Sequence, residues 1–374
     1  MKVYLSRPDI TDAEIQAVCS ILKSPNLSLG PTLSEFENKF AQYIGRKHAI
    51  AVNSGTSGLY LCMLALGIGP GSEVITTPFT FIASTTCIMM AGAKPVFVDI
   101  DPVSLNIDAD KIEKKITRKT KAILPVEVFG NPAGFDKICR IAQKHNLPVI
   151  EDSCEALGSA LNGKKTGTYG KVGVFGFYPN KQITTGEGGM ILTDDDGIAD
   201  MCISLRNQGR GKSGGWLAHE RLGYNYRLSD INCAIGIVQL SRIEQIKQKR
   251  QQVARWYQQL LAGDERIIVP AAAANVDLSW FVFVVRLKDE FTFEQRNKIL
   301  EEMAKAGIQV SNYFSPVHLQ PFIAQALGCK RGDFPVTESV SQRTIALPFY
   351  NNLTKDEVAT VSETLKQCLD KVLK

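Results

Sequence analysis

Residues Phe177 to Met190 read FYPNKQITTGEGGM, with one lysine, Lys181, among small and polar residues and glycines at 186, 188 and 189. The run KVGVFGFY leads into this stretch and GMILTD leads out of it. Short apolar runs bounded by turn residues read as buried strands. Lysine is seldom buried without a partner. A lysine held between two such strands therefore either points at water or has chemistry to perform. The three glycines would let backbone pass close to a flat group.

Outward from there the same alternation continues. HAIAV, EVITT, KPVFVD, KAILPV and LPVIED read as strands, separated by the helical runs TSGLYLCMLALG, FIASTTCIMMAG and FDKICRIAQKHN. That order predicts an α/β fold with a parallel sheet covered on both faces. From Ser229 the pattern changes. SDINCAIGIVQLSRIEQIKQKRQQVARWYQQLLAG predicts one long helix, opened by a Ser/Asp cap and closed at Gly263. The strand WFVFVVRL, the helix TFEQRNKILEEMAKAG and a last helix follow, the last with Val358, Val361, Leu365, Leu369 and Val372 in one apolar stripe. We expect a large domain, residues 1–245, and a small one, 246–374, divided inside the long helix, with the N-terminal segment near the small domain.

The length of 374 residues suits two domains, and 44% hydrophobic with 22% charged residues is ordinary for a soluble chain. A net charge of +5 is weak, and KIEKKITRKTK (Lys111 to Lys121) reads as a solvated helix face rather than a nucleic-acid surface. The start, MKVYLSRPDITDAE, has no signal-peptide core, and no apolar run approaches a membrane span. Nine cysteines without CxxC spacing and four scattered histidines point to reduced thiols and no metal site. A cytoplasmic protein is expected.

Four features converge on one cofactor, pyridoxal phosphate (PLP). Lys181 can form a Schiff base with its aldehyde. Asp152, in LPVIEDSCEALGS, ends a predicted strand, where a carboxylate can pair with the protonated pyridine nitrogen. Glu151 should point the opposite way. VNSGTSGL, residues 52 to 59, is strand, tight turn and helix start, and its amides and hydroxyls suit a phosphate. Phe81, in TPFTFIAS, can stack on the ring. Taken singly these residues also read as a surface lysine, a helix-capping aspartate, an ordinary capped helix and a core phenylalanine. The Gly-Lys-Ser of RNQGRGKSGG is no P-loop, because Arg206 stands where that loop needs glycine. It reads as a mobile loop.

With LSLGPTLSEFENKFAQYIG, LRNQGR, LGYNYRLSDINCAIGIVQL, SPVHLQPF and LPFYNNLT added, the chain resembles, over nearly its whole length, the DegT/DnrJ/EryC1/StrS aminotransferases, PLP enzymes that aminate nucleotide-linked keto-sugars. The resemblance implies a type I aminotransferase fold, with a large mainly parallel sheet domain and a small α+β C-terminal domain, and a homodimer with shared sites. It implies that Lys181 bonds the cofactor, Asp152 pairs with its ring nitrogen, Phe81 stacks on it, and Gly55, Thr56 and Ser57 hold its phosphate. Asn225 would reach the partner's phosphate. Leu27, Ser28, Leu29, Tyr313 and His318 would border the sugar-nucleotide.

Two cofactor positions depart from the commonest pattern. Gly176 stands where many members carry a phosphate-binding serine, and Glu155 where Gln or His often contacts the ring's phenolic oxygen; some members, including GDP-perosamine synthases, carry Glu there. The implied reaction is a ping-pong transamination in amino-sugar or polysaccharide biosynthesis, from glutamate through pyridoxamine phosphate, with Lys181 as general acid/base. The expected acceptor is a 4-keto-6-deoxyhexose, with a 3-keto sugar as the alternative. Sugar dehydratases of this kind replace the lysine by histidine, so Lys181 argues against one. A non-catalytic PLP-binding regulator on the same fold is the other class left open.

Overall fold

The computed structural model describes residues 2–211 and 218–373; residues 212–217, within the glycine-rich loop after Arg206, lie outside them. Four strands lie side by side in the order His48–Val52, Gly189–Thr193, Val172–Gly176, Ile150–Asp152. Parallel bridges from Ile123 to Val149 and from Val126 to Asp152 continue this group into three more, in the order Thr120–Ile123, Glu73–Thr76, Lys94–Phe97. All neighbours run parallel except Gly189–Thr193, which is antiparallel to both of its own. The loop around Lys181 carries no crossover helix, so the chain turns straight back beside the strand it left.

Alternation along these strands feeds two cores. Val174 and Ile191 pack with the helix Gly55–Ala65. Their neighbours Phe175, Met190 and Leu192 pack on the other face against the helices Pro31–Ile44 and Asp230–Ser241. A period of two thus covers both faces of one sheet.

The single long helix expected from Ser229 is two, Asp230–Ser241 and Ile243–Leu261. At Arg242 the backbone leaves helical geometry, with φ −101° and ψ 6°. Ser241 Oγ donates to the carbonyl of Val238 at 2.7 Å, and Arg242 turns to Glu14 Oε1 at 2.6 Å and Asp9 Oδ2 at 3.2 Å. A side chain bonded back into the ladder, with strong partners at its end, bends a helix there.

The second of these helices gives Ile243 and Ile246 to one core and Val253, Ala254, Tyr257 and Leu261 to another. That other core covers a three-stranded antiparallel sheet of Ile267–Ile268, Phe283–Leu287 and Thr344–Leu347. The last helix, Lys355–Val372, buries Val358, Val361, Leu365 and Leu369 there, with Val372 half-buried. Val3 joins the same core, its backbone bonded to Gly307 and Gln309. No helix among the described residues is long and apolar enough to cross a membrane.

Candidate active site

At the carboxyl ends of Ile150–Asp152 and Val172–Gly176 lies a cavity of about 530 Å³, bordered by Gly55, Thr56, Phe81, Asp152, Glu155, Gly176, Lys181 and Tyr313. Eight expected residues, from widely separated segments, therefore meet at one place. The carboxyl edge is where open α/β sheets offer a crevice to ligands.

Asp152 is the last residue of its strand and 5% exposed. Ser84 Oγ donates to its Oδ2 at 2.6 Å and the Cys154 amide to its Oδ1 at 3.3 Å. Glu151 points to the opposite face, as alternation requires, and accepts from the amides of Gly167 and Gly170. Lys181 holds its Nζ 4.1 Å from the centre of the Phe281 ring and 3.9 Å from Glu155 Oε1. That separation is an ion pair without a direct hydrogen bond. Glu155 Oε2 accepts from the Phe129 amide at 2.8 Å. Burial pushes the Glu155 carboxyl up to about 7, against the opposing pull of Lys181 and the Phe129 amide.

At another border of the cavity the helix Gly55–Ala65 begins, capped by Ser54, whose Oγ accepts from the Ser57 amide at 3.1 Å. The Ser57 hydroxyl is already engaged, donating to Asn53 Oδ1 at 2.6 Å, and Ser57 does not border the cavity. Gly55 and Thr56 do. Strand and turn approach closely because Gly189 has no side chain: a Cβ there would stand 2.7 Å from the Gly55 nitrogen. A contact between two backbones thus already requires glycine at 189. Gly176 is different, since a Cβ there would meet Cys154 Sγ at 3.4 Å, an ordinary contact.

Phe81 is 62% exposed at the rim, so it is no core residue. Tyr313 borders the cavity with its ring stacked on Phe314, which in turn stacks on Phe129. His318 is not brought to the cavity. It is fully buried, bonded through Nε2 to Glu338 at 3.1 Å and packed on Phe334. Leu27, Ser28, Leu29 and Asn225 are exposed and outside the cavity of this chain.

Sequence reading missed Ser84, Cys154, Phe281 and Arg250. Ser84 closes TPFTFIAS and Cys154 lies inside EDSCEALGS, so both stood in quoted motifs. Arg250 had no local signal. It is a helix residue brought beneath Lys181 by the fold.

No cluster of histidine, cysteine or acidic side chains among the described residues could hold a metal ion. An amine and a buried carboxylate at the carboxyl edge of a mainly parallel sheet, with a helix N-terminus on the same cavity, are the features of a type I aminotransferase fold. The chain belongs to the DegT/DnrJ/EryC1/StrS aminotransferase family, whose model matches residues 8–366. It is 39% identical over 343 residues to GDP-perosamine synthase of Caulobacter vibrioides, covering 91% of each chain. It is 36% identical over 371 residues to the spore coat polysaccharide biosynthesis protein SpsC of Bacillus subtilis, covering 96% of this chain and 95% of that one. Spr1654 of Streptococcus pneumoniae, a candidate sugar aminotransferase solved in its PMP form, superposes with a TM-score of 0.96 at 30% identity, covering 100% of this chain and 99% of that one. Its PLP form gives 0.95.

Proposed function

We propose that this chain transfers an amino group from L-glutamate to a nucleotide-linked keto-sugar, a 4-keto-6-deoxyhexose, with pyridoxal phosphate as cofactor. One observation carries the reading: Lys181, Asp152 and the amino end of the helix Gly55–Ala65 border a single cavity. Those groups fit a flat, phosphate-bearing pyridine aldehyde. The Lys181 amine makes no direct hydrogen bond to its ion-pair partner Glu155, and Asp152 is a buried carboxylate whose neighbours are a hydroxyl and an amide. The positive end of the helix, with Gly55 and Thr56, suits the phosphate. When bound, the cofactor supplies an aldehyde that carries the amino group and a pyridinium ring that accepts electrons.

The chain's own residues do the rest. Lys181 holds the cofactor at rest. Once displaced, its amine takes the proton from the α-carbon of glutamate and later delivers one to the sugar carbon that receives nitrogen. Asp152, fixed by Ser84 and the Cys154 amide, keeps the ring nitrogen protonated. Phe81, Tyr313 and Phe314 border the cavity; Phe81 would cover one face of the bound ring, and Tyr313 and Phe314 would keep water from the sugar. Asn225 serves the phosphate site of a partner copy; its exposure outside this chain's own cavity supports a homodimer.

The relative named GDP-perosamine synthase makes GDP-linked sugars the first acceptors to try. The test incubates purified protein with L-glutamate and follows the visible absorbance of the bound cofactor, then adds keto-sugar nucleotides singly. Glutamate should bleach the colour and the right acceptor restore it. Colour that survives glutamate would overturn transamination and favour a binding module.

A further inference from the structure

Tyr313 and Phe314 border the catalytic cavity, whereas Asn312 and Ser315 border a second one of about 660 Å³. Its wall includes the first turn of the 13-residue helix Phe293–Lys305, together with Arg331 and Ser341.

Arg296, in that first turn, is 1% exposed. Its Nη1 donates to the carbonyls of Ser341 at 3.2 Å and Thr344 at 3.0 Å, and its Nε to Asn297 at 2.9 Å. Among the described residues no carboxylate pairs with it and Nη2 makes no bond. Three hydrogen bonds and the Phe293 ring, its centre 5.1 Å from the guanidinium carbon, offset the burial of this charge, which leaves Nη2 as its unused donor. Arg331 borders the same cavity, exposed and without an ion-pair partner among the described residues. Ser341 also borders the cavity, and its Oγ, buried behind that wall, has no hydrogen-bond partner.

Two carboxylates are present as well. Glu338 is already committed, accepting from the amides of Gly332 and Phe334 and meeting His318 Nε2. Glu294 lies in the first helical turn and is exposed to water. The donors left over are the Arg331 guanidinium, Nη2 of Arg296, a hydroxyl and the positive end of a helix. That set matches an oxyanion with several oxygens better than a single carboxylate.

We infer that this second cavity binds a phosphate or diphosphate group, held by Arg296 and Arg331 with Ser341 as a neutral donor. The group comes either from the diphosphate of the sugar substrate, extending past the segment 312–316, or from a separate phosphorylated ligand.

Inorganic pyrophosphate is the probe, titrated calorimetrically into cofactor-loaded enzyme. Arg331→Ala is the main variant, because Arg331 has no internal partner whose loss would threaten the fold. Arg118→Ala, an exposed arginine bordering neither cavity, is the control. Binding should weaken by about tenfold in Arg331→Ala, as for loss of a bond to a charged group, and stay unchanged in Arg118→Ala. Equal affinity in wild type and Arg331→Ala, equal weakening in Arg118→Ala, or no binding at all would overturn the site. Where binding does depend on Arg331, a raised KM for the nucleotide-sugar with unchanged kcat assigns the group to the substrate. An unchanged KM assigns it to a separate ligand.

Discussion

Arg250 and Lys181, 69 residues apart, are joined by one hydrogen bond: Nη2 of Arg250 donates to the carbonyl oxygen of Lys181 at 3.0 Å. The same guanidinium donates to the carbonyl of Phe281 at 3.0 Å, and the Phe281 ring lies 4.1 Å from Lys181 Nζ. One buried side chain thus sets both the backbone under the amine and the ring beside it. Burial lowers the Arg250 pKa to about 10, which leaves it charged at neutral pH.

Arg250→Met should leave these carbonyls without donors. We expect a loss of about 2 kcal/mol in urea unfolding, and a kcat that falls more than KM rises. A variant with normal kcat would show that Lys181 is positioned without it.

Lys181→Ala should abolish turnover while pyridoxamine phosphate still binds. Borohydride treatment of the wild type should leave the cofactor covalently attached at Lys181, as read by peptide mass spectrometry. An adduct at another lysine would refute the assignment. Asp152→Ala should slow turnover by about a hundredfold or more, since each factor of ten is about 1.4 kcal/mol of barrier.

Glu155 makes stability depend on pH. Its folded pKa, about 7, is raised above the ordinary 4.5 by burial. The fold therefore favours the protonated form. The associated stability is complete below pH 4.5 and is lost as pH rises through 7. The full span is about 3 kcal/mol. Cofactor-free wild type should weaken from pH 5 to pH 8 in denaturant titrations, and Glu155→Gln should remove most of that slope. Parallel curves for the two proteins would contradict a raised Glu155.

Gly176→Ser tests the missing hydroxyl. A Cβ at 176 meets its nearest neighbour, Cys154 Sγ, at 3.4 Å, so a small side chain has room. The added hydroxyl should contribute a bond to the phosphate, and dialysis should release PLP more slowly from the variant. Faster release would mean that the cofactor itself passes too close to residue 176.

Asn225 tests the shared site. Lys181→Ala and Asn225→Ala chains, each inactive alone, should recover some activity when mixed, because one hybrid site is intact. Verified subunit exchange without recovery would count against a contribution from the partner.

Much of this site was legible in the chain. Strand alternation, the turn at Gly55 and the strand end at Asp152 follow from neighbours a few residues apart, and the family motifs named Lys181. Even so, the signal for each residue was ambiguous until the fold brought them together. Taken alone Phe81 read better as core, and its 62% exposure beside the cavity is what rules that reading out. Ser57 lay inside the right motif, yet its hydroxyl turned to Asn53.

What the sequence by itself determined is local: which runs become strands, where helices are capped, and which end of the sheet carries Asp152 and Lys181. The tertiary structure decided the partners. It reversed the strand Gly189–Thr193, bent the long helix at Arg242, buried His318 against Glu338, and carried Arg250 under Lys181. The physical reason is range. Backbone conformation and side-chain alternation depend on steric contacts between adjacent residues, whereas a hydrogen-bond partner depends on where a segment tens or hundreds of residues away comes to rest.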